Sequence, residues 1–277
     1  MRAAAFCGVL ATTALCASGC DSQILVGADV ASDAGLLSPA AIVDGAGSVD
    51  GSLAALVVPW STGFESGFGD WDQPPGQGFC YVEGSATYAI VTSPVHSGQY
   101  AAAFTVNTAA ASPAVPSQTR CVRQGVLPAS AYYGAWYFVP DAATNEGNWN
   151  LLHFQGSDGP DASDVQGLWD VSLTSGTNAP LASEVYDFLD TSILDGGLAI
   201  PIGQWFHLEV FLRPTSDGGG EFTLTQDGQV VAAVSGVETD DTRWGQWFVG
   251  NFATALSPSS STVYVDDVTI GTMPSSP

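Results

Sequence analysis

Trp205-Phe206-His207-Leu208-Glu209-Val210-Phe211-Leu212-Arg213 is the stretch that decides the fold. Phe206, Leu208, Val210 and Leu212 fall on one parity, and Trp205, His207, Glu209 and Arg213 on the other, which is the period of a half-buried β-strand. Glu221–Gln226, then Asp227-Gly228, then Gln229–Val234 read as two more strands around a tight turn, because Asp-Gly tolerates the left-handed backbone a short hairpin needs. Working outward, the same signature predicts strands at Ala86–Thr92, Tyr100–Asn107, Tyr133–Val139, Trp149–Gln155, Leu168–Thr174, Trp247–Phe252 and Thr262–Ile270. No segment holds a helical apolar period for three turns between capping residues. The chain is therefore all-β, and its many short strands favour a two-sheet sandwich or jelly roll over a closed barrel.

The first 58 residues belong to no such pattern. Met1-Arg2 followed by the small, apolar Ala3–Ala17 is too short to span a bilayer and reads as an export leader. Ala17-Ser18-Gly19-Cys20 resembles the lipobox of bacterial lipoproteins, with Ala17 where Leu is usual. That resemblance implies cleavage before Cys20, lipidation of its thiol, and membrane attachment through the lipid alone. A secretory leader cut nearby is the alternative. The expected organisation is a leader over 1–19, an Ala/Gly/Ser/Asp-rich tether without aromatic residues over 20–58, one β domain over 59–272, and a tail over 273–277. The location expected is the cell envelope or the exterior, and the oligomeric state a monomer.

Composition narrows the partners. The 277 residues carry 28 acids against five arginines and no lysine, for a formal net charge of −23. Such a surface repels polyanions at long range, which excludes nucleic acid as a partner; for a glycan it favours a neutral polymer, or an anionic one bridged by calcium. Of five cysteines, Cys7 and Cys16 fall in the leader and Cys20 is the lipidation candidate. Cys80 and Cys121 remain, an even pair in an exported chain with no CxxC spacing, and read as one disulfide. Closing a loop of that length stabilises by about 3–4 kcal/mol on the chain-entropy view.

Several stretches resemble the concanavalin A-like lectin/glucanase group of jelly rolls. They are Phe64-Glu65-Ser66-Gly67 with Trp71, His96-Ser97-Gly98-Gln99-Tyr100-Ala101, Gly203-Gln204-Trp205-Phe206-His207-Leu208-Glu209 with Asp227-Gly228, and Tyr264-Val265-Asp266-Asp267-Val268. Tyr133–Pro140 followed by Trp149–Gln155 is similar to heparin-lyase-like and other bacterial members. The resemblance implies a concanavalin A-like sandwich and leaves function open, since the fold carries lectins, binding modules, hydrolases and lyases.

Two sets of residues carry the candidate chemistry. Trp149, His153 and Gln155 on one strand, and Trp205, His207, Glu209 and Arg213 on another, are expected to share a concave face joined by Trp169. Aromatic platforms beside planar polar groups are what pyranose rings require, their faces being apolar and their rims polar. If the face is catalytic, β-elimination needs a base, an acid and a neutraliser for the uronate carboxylate. His153 is the candidate base, Tyr133 or Tyr137 the acid, and Gln155 or Arg213 the neutraliser; Arg120 and Arg123, beside Cys121, read as structural. The chain lacks the E-x-D-x-x-E strand of glucanases with this fold. Glu65 and Asp266 form the other set, a structural Ca2+ site to which the His96–Gln99 turn would add carbonyls; the alternative is that Asp266 simply accepts backbone hydrogen bonds. The expectation is a surface protein that binds polysaccharide, with a polysaccharide lyase and a non-catalytic adhesin as alternatives.

Overall fold

The structure, a computed structural model, describes residues 53–111, 115–175, 180–194 and 197–275. The leader, Cys20 and most of the expected tether lie outside these residues. In chain order the strands are β1 (Trp60–Thr62), β2 (Gly78–Glu83), β3 (Ala86–Val91), β4 (Ala101–Asn107), β5 (Ser117–Gly125) and β6 (Ala131–Phe138). They continue with β7 (Thr144–Asn145), β8 (Trp149–Ser157), β9 (Gln166–Ser175), β10 (Leu181–Asp187), β11 (Ser192–Leu194) and β12 (Trp205–Arg213). The last are β13 (Gly220–Gln226), β14 (Gln229–Val237), β15 (Trp244–Ala253), β16 (Leu256–Ser257) and β17 (Ser260–Gly271).

These strands form two antiparallel sheets. One has eight strands in the order β14-β13-β12-β6-β17-β4-β3, with β1 alongside β17; the other has seven, in the order β11-β10-β9-β8-β15-β5-β2. β7 and β16 pair apart from both. The sandwich read from Trp205–Arg213 is what the chain builds, and β12 has the bounds its alternation indicates.

The core lies between the sheets. Phe206, Leu208, Val210 and Leu212 are fully buried there, with Leu152, Phe154, Val171 and Val249 from the other sheet. Aromatic contacts join the layers: Trp169 stacks on Phe222 at 4.3 Å, and Tyr133 meets Phe154 edge-on at 5.0 Å. Cys80 and Cys121 stand directly opposite one another in the β2–β5 register and form the expected disulfide.

One expected boundary moves. Leu56 N donates to the Val126 carbonyl at 2.9 Å, Val126 N donates to the Ala54 carbonyl at 2.8 Å, and the Leu56 side chain is buried. The final residues of the expected tether therefore belong to the folded body.

Candidate functional site

The seven-stranded sheet has an unusual outer face. In β5, β8 and β15 residues of both parities are buried, with Gly125 as well as Ser117 closed off from solvent at the two ends of β5. One parity feeds the core. The other carries Gln118, Arg120, Val122 and Gln124 on β5, Gln246 and Phe248 on β15, His153 and Gln155 on β8, and Asp170 on β9.

Register sets these side chains side by side. Val122, Phe248, His153, Asp170 and Tyr186 lie in one row across five strands. In that row His153 Nδ1 pairs with Asp170 Oδ1, and the imidazole packs against Phe248 at 5.3 Å and edge-on to Phe188 at 6.0 Å. Asp170 thereby orients the ring and directs its other nitrogen, Nε2, toward Gln155 Oε1 at 3.2 Å. The adjacent row continues the network: Gln155 Nε2 donates to Gln246 Oε1 at 2.6 Å, and Gln246 Nε2 donates to Gln124 Oε1 at 2.9 Å. Gly167 is needed here, since a Cβ at that position would stand 2.9 Å from the ring of Phe188.

Arg120 occupies the next row, opposite Tyr81 and Gly250. Its guanidinium lies 4.6 Å above the Phe252 ring and 5.4 Å above that of Phe248, and Nη2 donates to Asn150 Oδ1 at 2.9 Å. Tyr81 donates to Gln118 Oε1 at 3.1 Å, and burial raises its hydroxyl pKa, partly opposed by Arg120. Arg120 is 7% exposed, and among the described residues it makes no ion pair. The face thus offers a cation, a histidine–aspartate pair, a run of amides and phenyl rings.

Several expected site residues are elsewhere. Trp149 is in the core because register shifts interrupt β8 between Asn150 and Leu152, and its indole donates to Asn251 Oδ1 at 3.0 Å. Trp169 also faces inward, donating to the Thr239 carbonyl. Tyr137 and Tyr133 point into the core with unpartnered hydroxyls, and burial drives both pKa values far up. Neither reaches His153 as an acid.

Trp205, His207, Glu209 and Arg213 do share a parity, but on the outside of the eight-stranded sheet. They cannot line a groove with His153. Burial lowers the pKa of His207, whose Nε2 meets Ser275 Oγ at 3.2 Å, while Ser275 N donates to Glu209 Oε2 at 2.7 Å. Ser275 thus lies on that surface. Arg213 faces Glu221 at 3.6 Å and neutralises nothing near His153. Of the residues expected on one concave face, His153 and Gln155 remain together on the seven-stranded sheet, and Trp205, His207, Glu209 and Arg213 on the other.

The face instead uses Arg120, Asp170, Gln124, Gln246, Phe248 and Phe252. A signal for Arg120 existed: Gln118, Arg120, Val122 and Gln124 alternate with Thr119, Cys121 and Arg123. Arg123 does have the structural role expected of it. It is inside the sandwich, over Trp60 at 4.4 Å with Nη2 on Gln77 Oε1 at 3.2 Å, and burial lowers its pKa to about 10.

Glu65, Asp266 and Asp267 meet around Gly63, where a Cβ would stand 3.3 Å from Asp267 Oδ1 and 3.7 Å from Asp266 Oδ1. Asp266 is fully buried, and burial pushes its carboxyl up to about 6. The His96–Tyr100 turn presents N–H groups rather than carbonyls: His96 N and Ser97 N donate to Asp266 Oδ2, and Gln99 N and Tyr100 N to Glu65 Oε1. Among the described residues no group of three or more His, Cys, Asp or Glu is arranged to hold a metal ion.

No family profile and no curated protein matches the chain. Solved structures do. The endo-β-1,4-glucuronan lyase of the fungus Trichoderma reesei superposes with a TM-score of 0.57 at 18% identity, over 72% of this chain and 92% of that one. The cellulose-induced protein Cip1 superposes with a TM-score of 0.54 at 16% identity, over 78% of this chain and 99% of that one. At these identities the likeness is one of fold, and it bears out the expected jelly-roll sandwich.

Proposed function

We propose that the outer face of the seven-stranded sheet binds a polysaccharide that carries uronate groups. The observation behind this reading is Arg120. A chain with 28 acids and five arginines keeps one guanidinium on this face, 7% exposed and without a carboxylate partner among the described residues. A nearly buried charge wants a counter-charge, and a planar carboxylate suits the guanidinium fork. Phe248, Phe252 and the amides of Gln124, Gln155 and Gln246 supply the apolar and polar contacts of a sugar ring.

Binding, rather than cleavage, is the primary reading, because the rings packed against His153 are Phe248 and Phe188, which carry no proton to give a leaving oxygen. Cleavage by β-elimination is the second reading. Its support is the His153–Asp170 pair, which suits a general base. The test is retention of the full chain on a panel beginning with β-1,4-glucuronan, the polymer named for the lyase of like fold, monitored for unsaturated products. Retention without product supports a binding protein; product lost in His153→Ala supports the lyase; neutral glycans retained equally well in Arg120→Gln would sink the uronate assignment.

The setting we infer is outside the cytoplasm, with Cys20 as lipid anchor and the protein a monomer. The disulfide supports export, since such bonds persist in oxidising compartments. We also assign calcium a structural role at Glu65 and Asp266. What supports this is the meeting of three carboxylates around Gly63; backbone N–H groups already hold Asp266 and Glu65, and His96 Nδ1 pairs with Asp267 Oδ2 at 2.7 Å, so an ion there has to displace part of this network.

A further inference from the structure

The histidine row does not end the outer face of β15. Trp244, Gln246 and Phe248 share one parity, and Ser157 stands opposite Trp244 in the register. Four residues of strand place Trp244 about 13 Å from Phe248 along β15. There the face runs into a cavity of about 500 Å³ at the end of the sandwich. Its walls come from the segment after β5, the segment after β12, and the 240–243 segment that enters β15.

The lining has the chemistry of a sugar subsite. Trp244 lines the cavity and is buried to all but 5%. Arg243, at the rim, is exposed and makes no ion pair among them. Asp240 is 8% exposed, with Oδ1 taken by Thr242 N at 2.7 Å and Thr242 Oγ1 at 2.6 Å. Ser216 adds a hydroxyl from the opposite wall. The lining thus combines an indole, a hydroxyl, two carboxylates and one cation: Asp240 and Asp241 can accept from sugar hydroxyls, Gln166 Nε2 already donating to Asp241 Oδ1, and Arg243 can pair with the carboxylate of an acidic pyranose.

We propose that this cavity is a second subsite, which takes a uronate residue further along the chain held at Arg120. The ring lies against Trp244, its carboxylate pairs with Arg243, and its hydroxyls meet Asp240 and Ser216. This rests on the polysaccharide reading given above and extends it.

The test is calorimetric titration of the full chain with β-1,4-linked oligoglucuronates of two to six residues. The readout is the affinity of the longest oligomer divided by that of the shortest. The expected ratio is about tenfold or more, the size of one charge-assisted hydrogen bond with a ring contact. Arg243→Gln, at an exposed position that tolerates change, brings the ratio close to one, and Trp244→Phe lowers it. A ratio near one in the unaltered chain, or an unchanged ratio in both variants, overturns the subsite alone. Failure of every oligomer to bind overturns the polysaccharide reading and the subsite with it.

Discussion

Arg120 Nη2 reaches Asn150 Oδ1 over an intervening strand, since β15 lies between β5 and β8. The residue opposite Arg120 on β15 is Gly250, whose φ is 152° and whose added Cβ would lie 2.3 Å from the Thr119 carbonyl. No side chain stands between the guanidinium and its partner. Arg120→Gln should lower glucuronan affinity by tenfold or more in pull-down or calorimetry, in keeping with a lost charge-assisted bond of about 1.5–3 kcal/mol. Arg120→Lys should not restore it, since an ammonium cannot hold a planar carboxylate and the Asn150 amide together. Equal affinity in the lysine variant would mean that net charge alone matters.

The tryptophans expected on the face should report on stability instead. Trp169→Ala removes a ring stacked on Phe222 and a bond to the Thr239 carbonyl. A loss of about 3–5 kcal/mol in denaturant unfolding is expected. The milder Trp149→Phe should lower the unfolding midpoint while the folded fraction keeps its glycan affinity. Loss of affinity without loss of stability would return Trp149 to the binding face.

The disulfide bears on both properties. Cys121 is flanked by Arg120 and Val122, whose side chains face outward, while its own sulfur faces the core. Replacing Cys80 and Cys121 together by Ala should cost about 3–4 kcal/mol. Reductant should lower the melting temperature of the unaltered chain and leave that of the double variant alone.

Asp266 supplies a pH signature. Its carboxyl has an ordinary value of 3.8, and burial raises it to about 6 in the folded chain. The folded state therefore holds this proton more tightly than the unfolded one. The resulting stabilisation is fully present below about pH 4 and is lost as pH rises through 6. Melting temperature should fall across that window, and more steeply than in Asp266→Asn. Calcium at about a hundred times its Kd would restore about 2.7 kcal/mol above pH 6, an increment that EDTA and Glu65→Ala should both remove. No response to calcium at pH 7 would leave the cluster as a hydrogen-bonded device only.

How much of this was legible in the residues depended on whether a strand has one wet face. β12 alternates cleanly and was readable to its ends. β5 was not, because both its parities are buried and both carry arginine: Arg123 within the core and Arg120 outside it. The register shifts in β8 turned Trp149 inward, and nothing local in Trp149-Asn150-Leu151-Leu152 announces them. Whether His153 and His207 share a surface is a matter of sheet membership, and pairings such as β8 with β15 join residues about a hundred positions apart. Parity along one strand carries no information about that.

The strict alternation along Ser117–Gly125 also has an evolutionary consequence. On the proposed reading, substitutions at 118, 120 and 124 alter what the outer face binds, whereas those at 119, 121 and 123 alter whether the sandwich holds together. Interleaved in one short strand, the two sets of positions answer to separate selective pressures. If the outer face binds glycan as proposed, its specificity can change through one set while the fold is inherited through the other.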